Sequence, residues 1–207
     1  MKLLSGNILM LTGMLSIVFY VLHIVIGGMK WKGYSHLHQP ISDLSATGAP
    51  NRNLMLSLTT IYGFLALLFA ISFTVLKSRE HHSFVLWGGV TFILLHFVSI
   101  LYPLFPQALP GEKTTFKGRM HIIITALIVP FTIITPFFIG FGFISEPQWH
   151  TFGLYSIITG IMILVFGATT ALFYVKKLSY FGLVERLNIG ALQVWTFVFS
   201  IEFFLVK

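Results

Sequence analysis

Six stretches of the chain are apolar, and each is long enough to cross a membrane as a helix, which needs about 20 residues. They cover residues 7–27, 53–76, 84–105, 120–143, 152–175 and 184–206, and charged or turn-forming residues bound them. Only 9% of the residues are charged and 56% are hydrophobic, whereas a soluble domain has about 25% charged residues. The sequence therefore predicts an all-α polytopic membrane bundle of six transmembrane helices. It excludes a soluble enzyme, a disordered chain and a nucleic-acid-binding domain.

The connections between these segments are short, so we expect residues 1–207 to form a single six-helix domain. The first segment follows Lys2, as the apolar part of a signal peptide would. Its apolar run is longer than the roughly 7–15 residues of such a peptide, which favours a retained helix. The chain has no cysteine, which excludes disulfides, thiolate catalysis, iron–sulfur clusters and cysteine-ligated zinc.

The net charge of +7 comes from 13 basic residues that lie at the ends of the apolar segments and between them. Nine belong to the connections after the first, third and fifth segments: Lys30, Lys32, Arg52, Lys113, Lys117, Arg119, Lys176, Lys177 and Arg186. The other four, Lys2, Lys77, Arg79 and Lys207, belong to the opposite side. Cytoplasmic loops carry an excess of Lys and Arg. The count predicts a multi-pass plasma-membrane protein whose connections after the first, third and fifth segments lie in the cytoplasm. Basic residues that bind a ligand would bias this count.

Ionisable residues within or beside membrane segments are costly and are candidates for a functional site. His23 lies near the end of the first segment, His96 lies two thirds along the third, and His121 begins the fourth. Glu185 and Arg186 begin the sixth segment. Up-and-down threading places all five toward the side of the connections that follow the odd-numbered segments. We call this side of the bundle the loop face.

The first connection, residues 30–51, is the longest and is called loop 1. It holds Asp43, the only aspartate of the chain, and it ends beside Arg52. The opposite face has fewer candidates, and we expect its polar residues to be solvated connectors: Lys77, Arg79, Glu80, His81, His82, Glu146 and His150. The sequence therefore predicts that polar chemistry is confined to one membrane face.

Several motifs resemble one prokaryotic family of multi-pass proteins, catalogued as domain of unknown function 998. The motifs are Gly33-Tyr34-Ser35-His36, Pro40-Ile41-Ser42-Asp43-Leu44, Ala46-Thr47-Gly48-Ala49-Pro50-Asn51, Leu104-Phe105-Pro106, Gly118-Arg119-Met120-His121 and Gly182-Leu183-Val184-Glu185-Arg186. The family often has Ile-Ser-Glu-Leu-Gly in loop 1, whereas this chain has Asp43 in place of the Glu and Ser45 in place of the Gly. The resemblance covers nearly the whole chain and implies six helices, but it implies no activity.

The Pro-Ile-Ser-Asp pattern of loop 1 is also similar to a Pro-x-Ile-Ser loop in a eukaryotic six-helix group. That group contains the GPI-anchor remodelling factors and the damage-regulated autophagy modulators. The likeness implies lipid handling or membrane regulation by analogy of fold.

We predict a polar pocket at the loop face that binds, and in an enzyme also processes, a lipid or amphiphile with an anionic headgroup. As catalytic residues we expect Asp43, His121 and Glu185, with His121 and a carboxylate as the acid–base pair. As ligand-binding residues we expect Arg186, Arg119, Arg52, His23 and His96, since arginines hold phosphate and carboxylate groups well. Membrane lipids are the expected partners, and the sequence leaves the oligomeric state open.

Other interpretations stay open. No HxxH or HExxH spacing exists, so no metal is predicted, and the sequence identifies no cofactor. In a structural interpretation, Asp43 pairs with Arg186 or Arg119, and Glu185 pairs with Arg52. A small-molecule transporter and a non-catalytic regulatory or scaffold protein are the alternative functions.

Overall fold

The computed structural model describes residues 2–108 and 115–205. Within them the chain forms six α-helices: α1 (Lys2–Met29), α2 (Arg52–Leu76), α3 (Ser83–Ser99), α4 (Phe116–Phe143), α5 (His150–Lys176) and α6 (Phe181–Leu205). Six segments long and apolar enough to cross a membrane coincide with these helices, and the third continues beyond α3 to Leu104. This confirms the predicted all-α polytopic bundle. Lys113, Lys207 and the end of the last predicted segment lie outside the described residues.

Several helix boundaries differ from the predicted segments. α3 ends at Ser99, and a 3-10 helix, Tyr102–Leu104, follows it. α4 begins at Phe116, so Lys117 and Arg119 belong to its first turns and not to a loop. α6 begins at Phe181, which places Glu185 and Arg186 one turn inside the helix. α4 and α6 thus begin with polar turns that precede their apolar segments. The hydropathy of a sequence marks the part of a helix in the membrane core and does not mark where the helix ends.

The helices form a closed ring in which each packs against the next one along the chain and α6 packs against α1. Aromatic side chains of α6 fill the middle of this ring, where Trp195, Phe199 and Phe203 are buried. The Phe199 ring centroid lies 4.6 Å from that of Phe73 in α2 and 5.3 Å from that of Phe152 in α5. One part of the interior is therefore an aromatic core.

Polar side chains also pair with one another across the interior. Gln193 of α6 donates a hydrogen bond to the Tyr62 hydroxyl of α2 at 2.9 Å. The Tyr62 ring also lies 4.9 Å from the Tyr20 ring of α1. Lipid offers no partners to such groups, which explains why they face other helices.

Candidate functional site

Loop 1 folds back over the loop face and buries part of its own chain there. Its 3-10 helix Ile41–Ser45 begins after Pro40 and turns Ile41, Asp43 and Leu44 into the protein. Leu44 packs against Met55 and Leu58 of α2 in a small apolar cluster. Loop 1 is therefore a fixed cover on the bundle, and the described residues around it define the candidate site.

Side chains at the start of α6 hold loop 1 through hydrogen bonds to the loop backbone. Glu185 Oε2 accepts a hydrogen bond of 2.6 Å from the backbone N–H of Ile41. Arg186 Nη1 donates to the carbonyl oxygen of Gln39 at 2.9 Å. Its Nη2 donates to the Tyr34 hydroxyl at 2.6 Å, and that hydroxyl donates to the Pro40 carbonyl at 2.7 Å. We call Tyr34, Glu185 and Arg186 the α6 latch.

Close approach of loop 1 to α6 depends on Gly182, one turn before Arg186. A Cβ atom at this position would collide with the Gln39 carbonyl oxygen and would lie 2.8 Å from the His36 carbonyl oxygen. The Gly182 carbonyl itself accepts a second hydrogen bond from Arg186 Nη1, at 2.8 Å. A residue without a side chain therefore lets the loop backbone reach the latch.

The segment that follows α3 holds loop 1 from a second direction. Gln107 Nε2 donates to Asp43 Oδ1 at 3.0 Å, and Gln107 Oε1 accepts from the Ser42 hydroxyl at 2.8 Å. The Gln107 carbonyl accepts from the Thr47 N–H at 3.0 Å. Asp43 has no exposed surface, and its Oδ2 has no hydrogen-bond partner among the described residues. One glutamine thus joins the segment after α3 to a buried carboxyl group and to the loop backbone.

The electrostatics of the site follow from this burial. Burial raises the pKa of Asp43 to about 6, and the nearby amide groups of Gln39 and Gln107 oppose the rise. Burial also raises the pKa of the Tyr34 hydroxyl to about 12, against the lowering effect of the Arg186 charge. The charges of Arg186, Glu185 and Asp43 all act on Tyr34. The structure therefore brings these three predicted site residues to one place.

His121 lies in the same region but pairs separately. Its Nδ1 donates to the Phe105 carbonyl at 3.0 Å, and its ring centroid lies 4.9 Å from that of Tyr102. Within the described residues no hydrogen bond joins His121 to Asp43 or Glu185. The catalytic roles of these three side chains stay a prediction, and their hydrogen bonds go to the backbone and to glutamine side chains.

The prediction of ion pairs at the loop face is wrong. Across residues 2–108 and 115–205, no ion pair within 4.0 Å joins Asp43 to Arg186 or Arg119, or Glu185 to Arg52. The carboxylates instead accept hydrogen bonds from an amide side chain and a backbone N–H, which provide partners without a cation.

Arg52 and Lys117 line a cavity of about 700 Å³ at the loop face. Thr47, Gly48, Pro106, Thr115 and Phe116 complete its lining. Neither basic side chain has an ion-pair partner in the described part of the chain, and Arg52 Nε is buried without a hydrogen bond there. Arg119, two residues beyond Lys117, is exposed. This cavity, which we call the Arg52 cavity, therefore gathers cationic groups that no described carboxylate neutralises.

The two remaining predicted ligand-binding residues lie inside the bundle. His23 is buried, and its Nδ1 is hydrogen-bonded to the Met55 carbonyl at 3.3 Å. His96 is 2% exposed, and both of its ring nitrogens lack partners among the described residues. In that same part of the chain, no three His, Cys, Asp or Glu side chains are grouped so as to hold a metal ion.

The opposite face is less solvated than expected, which corrects the prediction for two of its residues. His81 Nδ1 donates a hydrogen bond of 2.7 Å to Glu146 Oε2, and the two side chains are 11% and 23% exposed. The His81 ring also packs against Phe143, with centroids 4.8 Å apart. These two residues join the connections at that end and are not free connectors.

Three contributors to the cover are absent from the predicted site: Tyr34, Gln39 and Gln107. Tyr34 lies within the Gly33-Tyr34-Ser35-His36 motif, but nothing in the sequence pairs it with Arg186. Gln107 is a lone amide side chain between Pro106 and Ala108. A polar residue in such a setting is the one available signal that the segment after α3 contacts loop 1.

The comparisons with known proteins identify one family. The family model described as Protein of unknown function (DUF998) matches residues 14–202. No curated protein matches the chain, and no solved structure does.

We predict that Tyr34→Phe weakens the α6 latch, because it removes a hydroxyl that donates to Pro40 and accepts from Arg186. Leaving these groups without partners costs about 1–3 kcal/mol. We expect a lower melting temperature in detergent and faster tryptic cleavage at Lys30 and Lys32. Tyr174→Phe is the matched control, since Tyr174 is 64% exposed. Equal behaviour of the two variants would contradict the latch.

We predict that Asp43 makes stability fall as pH rises. Its folded-state pKa of about 6 exceeds the ordinary value of about 3.9. The protonated form is therefore favoured on folding, and its contribution is complete below about pH 4 and is lost as pH rises through about 6. The loss amounts to about 3 kcal/mol. Melting temperatures of the wild type and Asp43→Asn should diverge between about pH 4 and 7; parallel curves would count against the buried carboxyl.

Proposed function

We propose that this chain, which belongs to the DUF998 family of proteins of unknown function, binds a lipid through its anionic headgroup at the loop face. The single observation that carries the proposal is the cavity lined by Arg52 and Lys117. Two cations that no described carboxylate neutralises, at the edge of a membrane, attract phosphate. Both side chains bind phosphate through charge-assisted hydrogen bonds.

The backbone around the Arg52 cavity favours an anion as well. α2 begins at Arg52, and the residue before it, Asn51, does not cap the helix with its side chain. The free N–H groups and the dipole of this 25-residue helix add positive potential beside Arg52. Gly48 has a φ of 84°, and lacking a side chain it leaves the cavity wall open. The hydroxyls of Thr47 and Thr115 offer further donors.

The rim of the cavity suits a lipid. Phe116 is 64% exposed, and aromatic rings of this kind lie at the level of the headgroups. Two helices that meet the cavity, α2 and α4, contain membrane-crossing segments. A headgroup held here would keep its acyl chains along these helices.

Loop 1 forms one wall of the site in this proposal. Its position depends on the α6 latch and on the contacts of Gln107, so Arg186, Glu185, Asp43 and His121 would act by positioning. Chemical processing of the lipid stays a prediction, because each candidate acid or base contacts a structural partner and the described residues offer no paired nucleophile.

We further propose that the protein resides in the cell membrane with the loop face in the cytoplasm, on the basis of nine basic residues against four. Phosphate-bearing anionic lipids are common on that side.

We predict that Arg52→Gln with Lys117→Gln lowers retention of phosphatidylglycerol by at least about tenfold, since each lost contact to a charged group is worth about 1.5–3 kcal/mol. Native mass spectrometry of protein purified with phosphatidylglycerol or phosphatidylcholine measures this retention. The control is Lys176→Gln with Lys177→Gln, which removes the same charge from exposed positions of the same face. An equal loss in both double variants would indicate diffuse attraction and contradict a built site.

We predict that the loop face is shielded from reagents outside the cell. Because the chain has no cysteine, Lys32→Cys and His82→Cys each introduce a unique thiol at exposed positions on opposite faces. A membrane-impermeant maleimide added to intact cells should label the His82→Cys variant only. Labelling of the Lys32→Cys variant alone would reverse the proposed orientation.

A further inference from the structure

A second cavity lies within the membrane-crossing part of the bundle, between α1 and α6. It has a volume of about 340 Å³ and is lined by the helices α1 and α6 and by Ile41 of loop 1. Its lining on α6 runs from Arg186 to Phe197, a distance of about 16 Å along a helix. We call it the α1/α6 groove. It is separate from the Arg52 cavity, with which it shares no lining residue.

The groove is apolar along most of its length. Its lining includes Ile17, Val21 and Ile24 from α1 and Ile189, Val194 and Phe197 from α6. Val21 is 49% exposed and Val194 is 59% exposed at its edges, so the groove opens sideways toward the lipid. Its volume is at the lower end of the range for ligand cavities, about 300–1,000 Å³. One hydrocarbon chain fits such a groove better than a two-chain lipid does.

The end of the groove nearest the loop face carries a charge. Arg186 lines it, and the three hydrogen bonds of its guanidinium go to two carbonyl oxygens and the Tyr34 hydroxyl. Arg186 Nε is buried without a partner among the described residues, and no described carboxylate lies within 4.0 Å of the side chain. The cation is thus hydrogen-bonded but, within the described chain, not ion-paired.

We propose that the α1/α6 groove binds a single-chain amphiphile that ends in a carboxylate, such as a free fatty acid, with the carboxylate at Arg186. The apolar wall accounts for the chain. The guanidinium charge at its end, which no described carboxylate within 4.0 Å neutralises, accounts for the carboxylate, which would supply a counter-charge. The proposal does not depend on the headgroup site at Arg52.

Gly190 makes the groove testable. It lies in the lining, and a Cβ atom there would have no heavy atom within 4 Å. Gly190→Leu therefore extends a side chain into the groove from a position where its Cβ has open space, and leucine also favours the helix. Gly167→Leu is the matched control on α5, where a Cβ would lie 3.6 Å from the Asn188 side chain, an ordinary contact. Val194→Trp blocks the groove from its edge if Gly190→Leu fails to fold.

The experiment uses the full chain in phospholipid nanodiscs with a diazirine-bearing palmitic acid, and mass spectrometry maps the crosslinks. The wild type should be labelled on α1 and α6 around the groove. Gly190→Leu should reduce this labelling by at least about tenfold, since excluding two buried methylene groups suffices for that factor. Gly167→Leu should leave it unchanged. Unchanged labelling in Gly190→Leu, or wild-type labelling spread evenly over all lipid-facing helices, would overturn the proposal.

Competition tests the two parts of the ligand. Unlabelled palmitate should displace the probe at least about tenfold better than its methyl ester, which has no charge to place at Arg186. Equal competition by the ester would overturn the carboxylate, and competition by phosphatidylglycerol but not palmitate would overturn the single chain. Arg52→Gln with Lys117→Gln should leave palmitate labelling unchanged, so that failure of the headgroup site and failure of the groove give different results.

Discussion

The structure depends on how loop 1 satisfies its backbone polar groups at the edge of a membrane. A chain that turns back into a bundle with lipid-facing sides must pair its N–H and C=O groups within the protein. Glu185 and Arg186 provide this pairing from one turn inside α6, at the Ile41 N–H and the Gln39 carbonyl. Glu185 and Arg186 therefore serve first to fix the cover. The ligand site proposed at this face would depend on the cover being held in place.

The two cavities differ in the chemistry they offer, although loop 1 lines part of each. The Arg52 cavity offers cations beside a helix end that no side chain caps. The α1/α6 groove lies beneath Ile41 and offers an apolar wall that ends at Arg186. Arg186 belongs to both the latch and the groove. A ligand in the groove and the position of loop 1 would thus be coupled through one side chain, since the same guanidinium contacts both.

Aromatic rings and polar contacts share the interior of the bundle. Aromatic rings of α6 pack densely at the end away from loop 1, where Trp149 and Phe203 stack with centroids 4.3 Å apart. Polar contacts such as Gln193 to Tyr62 lie near the middle of the helices, and Trp195 donates a hydrogen bond to the Ser156 hydroxyl among the aromatic rings. The His81–Glu146 pair closes the end away from loop 1.

The sequence by itself determined the six crossings and the gathering of ionisable residues at one face. A crossing is recognised from the summed hydropathy of about 20 residues, which the local sequence contains. Successive crossings alternate in direction, so their number alone assigns each connection to a face. These two arguments located Asp43, Glu185 and Arg186 in one region and placed Arg52 on the same face. The partners were decided by the tertiary structure alone. Ile41 and Glu185 are 144 residues apart, and whether Arg186 meets a carboxylate or a carbonyl depends on the rotation of α6 and the path of loop 1. Local composition records neither the rotation of α6 nor the path of loop 1. The roles of Tyr34 and Gln107 and the groove at Gly190 are therefore visible only in the tertiary structure.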